Sequence, residues 1–292
     1  MNLCNLCPRS CNVDRIARFG VCQVPKMPMV ARAAPHFGEE PCITGTRGSG
    51  TVFFAGCNLR CVFCQNHEIS RGKAGAPVSV ERLRDIFLEL QDQGVHNINL
   101  VTGSHYTDSI ARALDMAKLT VPVAWNSSGY DSVEALRMLE GKVQIYMPDF
   151  KYSDPVLAKT YSAAANYPTV AKAAIQEMYR QTGPYTMDSD GILRQGLLVR
   201  HLILPNKPTN TKGVIDTLTE LLPKGSFLFS LMSQYTPMPG LEAFPELQRP
   251  ISAEEYERCR SYFDFSDILY GFTQSPESAT DEMIPDFDGT GV

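Results

Sequence analysis

The sequence predicts a barrel-like α/β fold of about six βα units, preceded by a cysteine-rich extension. Three observations carry that prediction. From residue 51 onward, short β-rich runs alternate with amphipathic helical stretches, which is how βα units in series appear in sequence. Polar residues with ligand chemistry stand at the C-terminal ends of several of those strands, where such folds place their sites. Eight of the nine cysteines precede residue 65, and that crowding favours metal chemistry.

Residues 1–45 hold Cys4, Cys7, Cys11, Cys22 and Cys42, several prolines and no sustained helical or strand period, which predicts a ligand-stapled extension. The barrel, residues 46–272, opens with the strand TVFFA (51–55), which ends in Gly56 at a cysteine loop. In SVERLRDIFLELQDQG, Ser79 is an N-cap, Leu83, Phe87 and Leu90 share a face, and Gly94 is a stop, so a helix is expected. NINLVT (97–102) reads as a strand, and TDSIARALDMAKL as a helix with Ile110, Leu114 and Ala117 inward. VPVAWN, SVEALRMLEG and VQIYMPDFK continue the alternation, and a helical region covers about 155–181. GPYTMDSDGILRQG is rich in Gly and Asp and reads as an excursion. The strand LLVRHLIL (197–204), a helix over 211–222, the strand SFLFSLMS and the helix SAEEYERCRSYF complete the barrel. The stretch 273–292 has five acidic residues and no basic ones, which predicts a mobile tail or an extended segment on the surface.

Composition excludes several classes. Hydrophobic residues make up 43% of 292, enough for a sizeable core. The longest apolar runs fall far short of the roughly 20 residues that cross a bilayer, and no charged start followed by an apolar stretch opens the chain. A cytoplasmic protein with no membrane partner is expected. Net charge is -5, without a cluster of Lys and Arg among aromatics, so nucleic acid is not an expected partner. Without an export signal, nine cysteines point to ligands or buried hydrophobes rather than disulfides.

The loop GCNLRCVFCQN places Cys57, Cys61 and Cys64 in C-x3-C-x2-C spacing directly after a strand. Such a loop can aim three sulfurs at one cubane cluster and leave one iron without a protein ligand. A zinc site borrowing a distant cysteine is the rival reading. The spacing, with Phe63 just before the third cysteine and Asn66 two residues after it, resembles the signature of the radical S-adenosylmethionine superfamily. That resemblance implies a partial (β/α)6 TIM-like barrel, a [4Fe-4S] cluster on Cys57, Cys61 and Cys64, and S-adenosylmethionine on the open iron. It further implies cleavage of the sulfonium by one electron from a flavodoxin- or ferredoxin-type donor. The 5'-deoxyadenosyl radical so formed takes a hydrogen from substrate, chemistry that is handled anaerobically.

Other segments are similar to the pyruvate formate-lyase-activating enzymes and their uncharacterised iron-sulfur relatives. MPDFK resembles their strand-end segment beside the cofactor's carboxylate, which implies roles for Asp149 and Lys151 there, and for Met147 and Asp149 beside a monovalent cation. WNSSG occupies the place of Asp-Thr-Asn-Gly, so Asn126 and Ser127 would complete that site. LLVRHLILP is similar to the strand whose arginine pairs with the methionyl carboxylate, which assigns Arg200 with His201 beside it. A planar fork of donors suits a carboxylate. One departure stands out. Where many members carry Gly-Gly-Glu for the cofactor's amino group, LVTGSHY offers Thr102, Gly103, Ser104 and His105, which supply hydroxyl, backbone and imidazole acceptors but no acid.

Cys4, Cys7, Cys11 and Cys22 are enough ligands for a second metal site, either zinc or another iron-sulfur cluster, with Cys42 and His36 as alternates. Cys259, in a predicted helix, reads as a buried small hydrophobe. The expected function is hydrogen abstraction from a protein or peptide, with activation of a glycyl-radical enzyme as one form. Modification of a small metabolite, and a non-catalytic iron-sulfur or zinc protein, are the alternatives.

Overall fold

The computed structural model describes residues 3–72, 74–275 and 284–292. Its chain enters through β1 (Met29–His36), turns at the short helix α1 (Pro41–Thr44) and runs back as β2 (Ser49–Phe54) antiparallel to β1. After the cysteine loop come α2 (His67–Ser70) and β3 (Ala76–Pro77), which pairs with β1. Then βα units follow in order: α3 (Val80–Asp92), β4 (Ile98–Val101), α4 (Thr107–Ala117), β5 (Val123–Ser127), α5 (Val133–Arg137) and β6 (Ile145–Pro148). Two helices, α6 (Pro155–Ser162) and α7 (Tyr167–Thr182), precede β7 (Thr186–Met187) and β8 (Leu193–Leu202). α8 (Pro208–Leu221), β9 (Leu228–Met232), α9 (Ala253–Asp264) and β10 (Gly271–Thr273) finish the series.

Strand order is β10-β9-β8-β6-β5-β4-β2-β1-β3, with β2, β4, β5, β6, β8, β9 and β10 mutually parallel. Among the described residues β3 and β10 are the two edges, so the sheet is open, consistent with a partial (β/α)6 barrel. Strand alternation divides its two faces. Val52, Phe54, Ile98, Leu100, Val123, Trp125, Val199 and Phe229 pack outward against the helices. The residues between them face the lumen: Ala124, Ile145, Met147, Leu198 and Leu228 pack on Cys42 and Ile43 of α1, which plugs the lumen from below. Above that apolar floor the inward positions turn polar, and the site begins.

Several elements differ from the sequence reading. The extension predicted to lack strands contributes β1, an eight-residue strand of the main sheet. Pro28, Arg32 and Pro35 break its apolar pattern, but pairing with β2 supplies the backbone partners that the pattern does not advertise. The helical region at 155–181 is two helices, because Ala163 adopts φ 47° and ends α6. β8 begins at Leu193 rather than 197, because β7 folds the excursion back on it as a hairpin. Residues 284–292 run along β1, with Gly289 N–H donating to the Ala31 carbonyl (3.1 Å) and Ala33 N–H to the Thr290 carbonyl (2.8 Å). The remainder of the acidic stretch, 276–283, lies outside the described residues. No helix among the described residues is long and apolar enough to cross a membrane.

Candidate active site

β2 delivers the cysteine loop to the C-terminal mouth of the barrel. Gly56 makes the turn at φ 80°, where a Cβ would meet the Cys22 carbonyl at 2.7 Å. The loop is held by its surroundings rather than by itself. Asn58 donates to the Tyr130 carbonyl (2.7 Å), Val62 N–H to the Tyr161 carbonyl (2.9 Å), and Gly56 N–H to the Ile69 carbonyl (2.7 Å). Arg9, from the extension, donates to the carbonyls of Asn58, Leu59, Ser162 and Ala163 at 2.8, 3.2, 2.8 and 2.6 Å. Phe63 packs edge-on against Tyr152, Tyr161 and Tyr235.

The sulfurs have donors but no disulfide partner. Leu59 and Arg60 N–H groups donate to Cys57 Sγ (3.4 and 3.5 Å), and the Ser162 hydroxyl to Cys61 Sγ (3.0 Å). Burial, then the neighbouring Cys64, pushes the Cys57 thiol up to about 12. Burial and Cys61 raise Cys64 likewise. Cys57 and Cys64 resist ionisation alone, yet the loop supplies donors to sulfur, which fits a cationic metal group that reverses the penalty. A cubane takes one thiolate at each of several iron corners, and three thiols in one loop fit such a cluster with one corner left open.

Cys57, Cys61 and Cys64 open on a cavity of about 560 Å³ also lined by Phe63, Asn66, Thr102, Asn126, Ser127, Asp149, Lys151 and Arg200. Its polar wall is one connected network. Lys151 Nζ lies 2.6 Å from Asp149 Oδ2, and Arg200 Nε 3.3 Å from Asp149 Oδ1. Arg200 also donates to Asn126 Oδ1 (2.7 Å) and to Glu39 Oε2 (2.8 Å). Glu39 Oε1 in turn accepts from Asn126 (3.1 Å) and Asn99 (2.9 Å). Burial opposes ionisation of Asp149, but Lys151 and then Arg200 overcome it and hold its carboxyl below the usual range. Glu40 behaves oppositely: burial and the adjacent Glu39 raise it against the pull of Arg200, and its Oε2 has no hydrogen-bond partner.

Glu39, Glu40 and Asn99 were not legible as site residues. They come from the turn after β1 and from mid-β4, and no motif marks them; the only signal is two adjacent acids before Pro41 in a cysteine-rich segment.

Other expected residues lie elsewhere. His105 is buried, with Nε2 at 2.9 Å from the Ala55 carbonyl and its own carbonyl bound by Arg15, so it braces the strand end beneath the loop instead of lining the cavity. Gly103 packs on Ile110 and Trp125, and Ser104 is buried beside Asp131, both away from the cavity wall. His201 alternates with Arg200 along β8 and so faces outward, bonded to the Phe150 carbonyl (2.7 Å) and the Thr211 hydroxyl (2.9 Å). Met147 is sealed in the apolar floor, whereas Asp149 lines the cavity with Oδ2 on Lys151 and Oδ1 on Arg200. Cys42 lies in that floor and Cys259 is buried in α9, whereas His36, edge-on against Phe53, does line the cavity.

Comparison with known proteins agrees with this geometry. Residues 51–180, from β2 through most of α7, match the model of the Radical SAM superfamily. An uncharacterized protein of Methanocaldococcus jannaschii is 28% identical over 266 residues, 88% of this chain and 72% of that one. Streptococcus suis SuiB bound to S-adenosylmethionine shares the fold at a TM-score of 0.53 and 12% identity, over 75% of this chain and 48% of that one. SuiB bound to precursor peptide SuiA gives 0.51 and 11%, over 75% and 46%. The chain thus spans about half the length of these solved structures. Residues 51–180, which carry the cysteine loop and part of the cavity it faces, are thus similar to the Radical SAM superfamily domain.

Proposed function

We propose that the protein is a radical S-adenosylmethionine enzyme that abstracts hydrogen from a peptide or protein. The observation that carries this reading is the cavity itself, where three unpaired thiols face a polar wall built for a zwitterion. When bound, the cluster and S-adenosylmethionine supply a one-electron cleavage of the sulfonium and a 5'-deoxyadenosyl radical.

The chain's residues bind, orient and exclude water. Cys57, Cys61 and Cys64 would hold the cluster, which as a three-thiolate site would keep one iron without a protein ligand. Arg200 carries five N–H donors, of which the network uses three, so two remain for a carboxylate alongside Lys151. Glu39 and Glu40 place carboxyl oxygens in the lining, where the absent Gly-Gly-Glu would otherwise supply the acid for an ammonium. Phe53, Leu59, Phe63, Leu202 and Met232 line the remainder and keep solvent from the reacting centre.

A peptide substrate is favoured by β10. Phe272 and Thr273 line the cavity mouth, and β10 forms a sheet edge among the described residues, so its backbone can pair with an extended chain. Activation of a glycyl-radical enzyme, as pyruvate formate-lyase-activating enzymes perform, is the most specific form of this proposal, with a flavodoxin- or ferredoxin-type protein as electron donor.

The anaerobically reconstituted protein, given dithionite and S-adenosylmethionine, is expected to release 5'-deoxyadenosine, and Cys61→Ala to release none. Equal product from both overturns the assignment. Deuterium transfer into 5'-deoxyadenosine from labelled peptides, and not from labelled metabolite pools, tests the substrate class.

A further inference from the structure

Residues 284–292 form an arm that is tied both to the edge of the sheet and to the cavity. The first tie is to β1. Val30 and Arg32 pair with the adjacent residues Phe54 and Phe53, so Ala31 is the extra residue of a bulge. On its other side β1 pairs with β3 only at Met29 and Val30, and the arm takes over from there. Gly289 N–H donates to the Ala31 carbonyl (3.1 Å) and Ala33 N–H to the Thr290 carbonyl (2.8 Å). Arg32 Nη1 binds the Asp288 carboxylate (3.0 Å) and the Asp286 carbonyl (3.1 Å), and Arg82 donates to the Gly291 carbonyl (3.3 Å). Gly291 adopts φ 75°, and a Cβ there would run into the Ala33 carbonyl oxygen, so glycine is what lets the arm lie this close.

The second tie faces inward. Phe287 packs edge-on against Phe53, ring centroids 5.5 Å apart, and joins the apolar cluster of Ala31, Phe53, Ile69 and Val101. Phe53 and Val101 line the cavity, and so do Ile284 and Pro285 of the arm. Half-buried Pro285 and Phe287 alternate with exposed Asp286 and Asp288, the period of an extended segment that lays one face on the barrel. Phe272 and Thr273, on β10 at the other end of the strand order, line the same cavity, so its rim draws on both ends of the open sheet.

We propose that residues 284–292 are a clamped arm whose Ile284 and Pro285 form an outer wall of the cavity and set the size of the group that reaches Cys57, Cys61 and Cys64. An open sheet cannot enclose its own lumen with strands, so a wall at that side has to come from another segment. A wall of this kind discriminates by size only if it is held in place. Here the anchor on β1 combines two backbone bonds, the Arg32–Asp288 ion pair and the close approach at Gly291, while Phe287 fixes the inward face on Phe53. That the three thiols are the reaction centre, and the admitted group a substrate, rests on the function proposed above; the wall itself does not.

The test is labelling of the reduced, iron-free full chain with N-ethylmaleimide and with fluorescein maleimide, one chemistry at two sizes, with rates read at each cysteine by peptide mass spectrometry. The ratio of the bulky to the small rate at one thiol cancels that thiol's own reactivity. Cys4, Cys7, Cys11 and Cys22 of the extension, and Cys259 of α9, are free thiols outside the described lining of the cavity and serve as references. Ile284→Ala, which cuts back the wall, and Gly291→Ala, which dislodges the anchor, are each expected to raise the ratio at Cys57, Cys61 and Cys64 about tenfold and to leave the references unchanged. A ratio at the loop cysteines equal to wild type in either folded variant overturns the proposal, as does a rise shared by the references, which would report general loosening. Ile284→Ala changes a half-buried side chain away from the anchor, so it decides even where Gly291→Ala fails to fold. The labelling needs neither cluster nor S-adenosylmethionine, so its result stands whatever becomes of the cofactor assignment.

Discussion

Glu39→Gln tests whether the buried network is held together by charge. Glu39 and Arg200 are 9% and 15% exposed at the side chain, and their contact is 2.8 Å, so water screens the pair little. Glutamine keeps the shape but must turn its NH₂ either toward the Arg200 guanidinium or toward the donating amides of Asn99 and Asn126, setting donor against donor in each case. Breaking a buried ion pair costs about 3–5 kcal/mol. Arg200 keeps Asp149 and Asn126, which places this substitution near the lower bound, about 3 kcal/mol. At this chain length that corresponds to a drop in Tm of about 6 °C, read by circular dichroism on the oxygen-free protein. A cycle with Arg200→Gln supplies the sharper measure, with a coupling energy of about 2 kcal/mol expected between the two positions. Additivity within about 0.5 kcal/mol would show that Glu39 and Arg200 do not act on each other and refute the network.

Three further outcomes are expected. Burial holds His105 and His201 neutral, with folded pKa values of about 3 and about 4, so the unfolded chain takes up protons below about pH 6.5 that the folded chain refuses. Stability is therefore full above pH 6.5 and falls by about 2 kcal/mol per histidine between pH 6.5 and 5, seen as a lower urea midpoint; His201→Gln should remove about half of the loss, and a flat profile contradicts it. Gly129→Ala, at φ 71° with its Cβ driven into the Asp149 carbonyl oxygen, should lower stability by about 2 kcal/mol more than Gly141→Ala, at φ 77° in open space; equal Tm values would remove the steric argument. Arg9→Ala removes four charge-assisted bonds to the cysteine loop and its neighbour and should cost about 2–3 kcal/mol, with faster loss of iron to a chelator; unchanged iron release would show the latch to be idle.

The barrel was legible because its signals are local. Ser79 caps α3 by accepting from Arg82 N–H (3.1 Å), and Leu83, Phe87 and Leu90 are buried as their spacing required. Period-2 alternation separated Arg200 from His201, but the sequence could not say which of the two faced the lumen; the Arg200 side-chain contacts to Asp149 and Glu39 decide that. The break at Ala163 was illegible for a different reason. Pro168 signals a helix start there, but nothing in YSAAANY fixes Ala163 as the end of α6; that αL residue is held by tertiary partners, its carbonyl accepting from Arg9, 154 residues away. Glu39 was hidden likewise, since its partners Asn99, Asn126 and Arg200 are gathered only by strand pairing across the sheet.

These long-range contacts change what the extension is. A segment read as a metal-stapled appendage supplies a strand of the sheet, the plug beneath the lumen, an acid inside the cavity and the latch on the cysteine loop. Without α1, lumen-facing Ile145, Met147, Leu198 and Leu228 would meet water. Without Glu39, Arg200 would lose its partner from below while Lys151 still competed for Asp149. An acid therefore enters the lumen from the opposite end of the barrel. The polar wall is balanced only when the first 45 residues are folded against it.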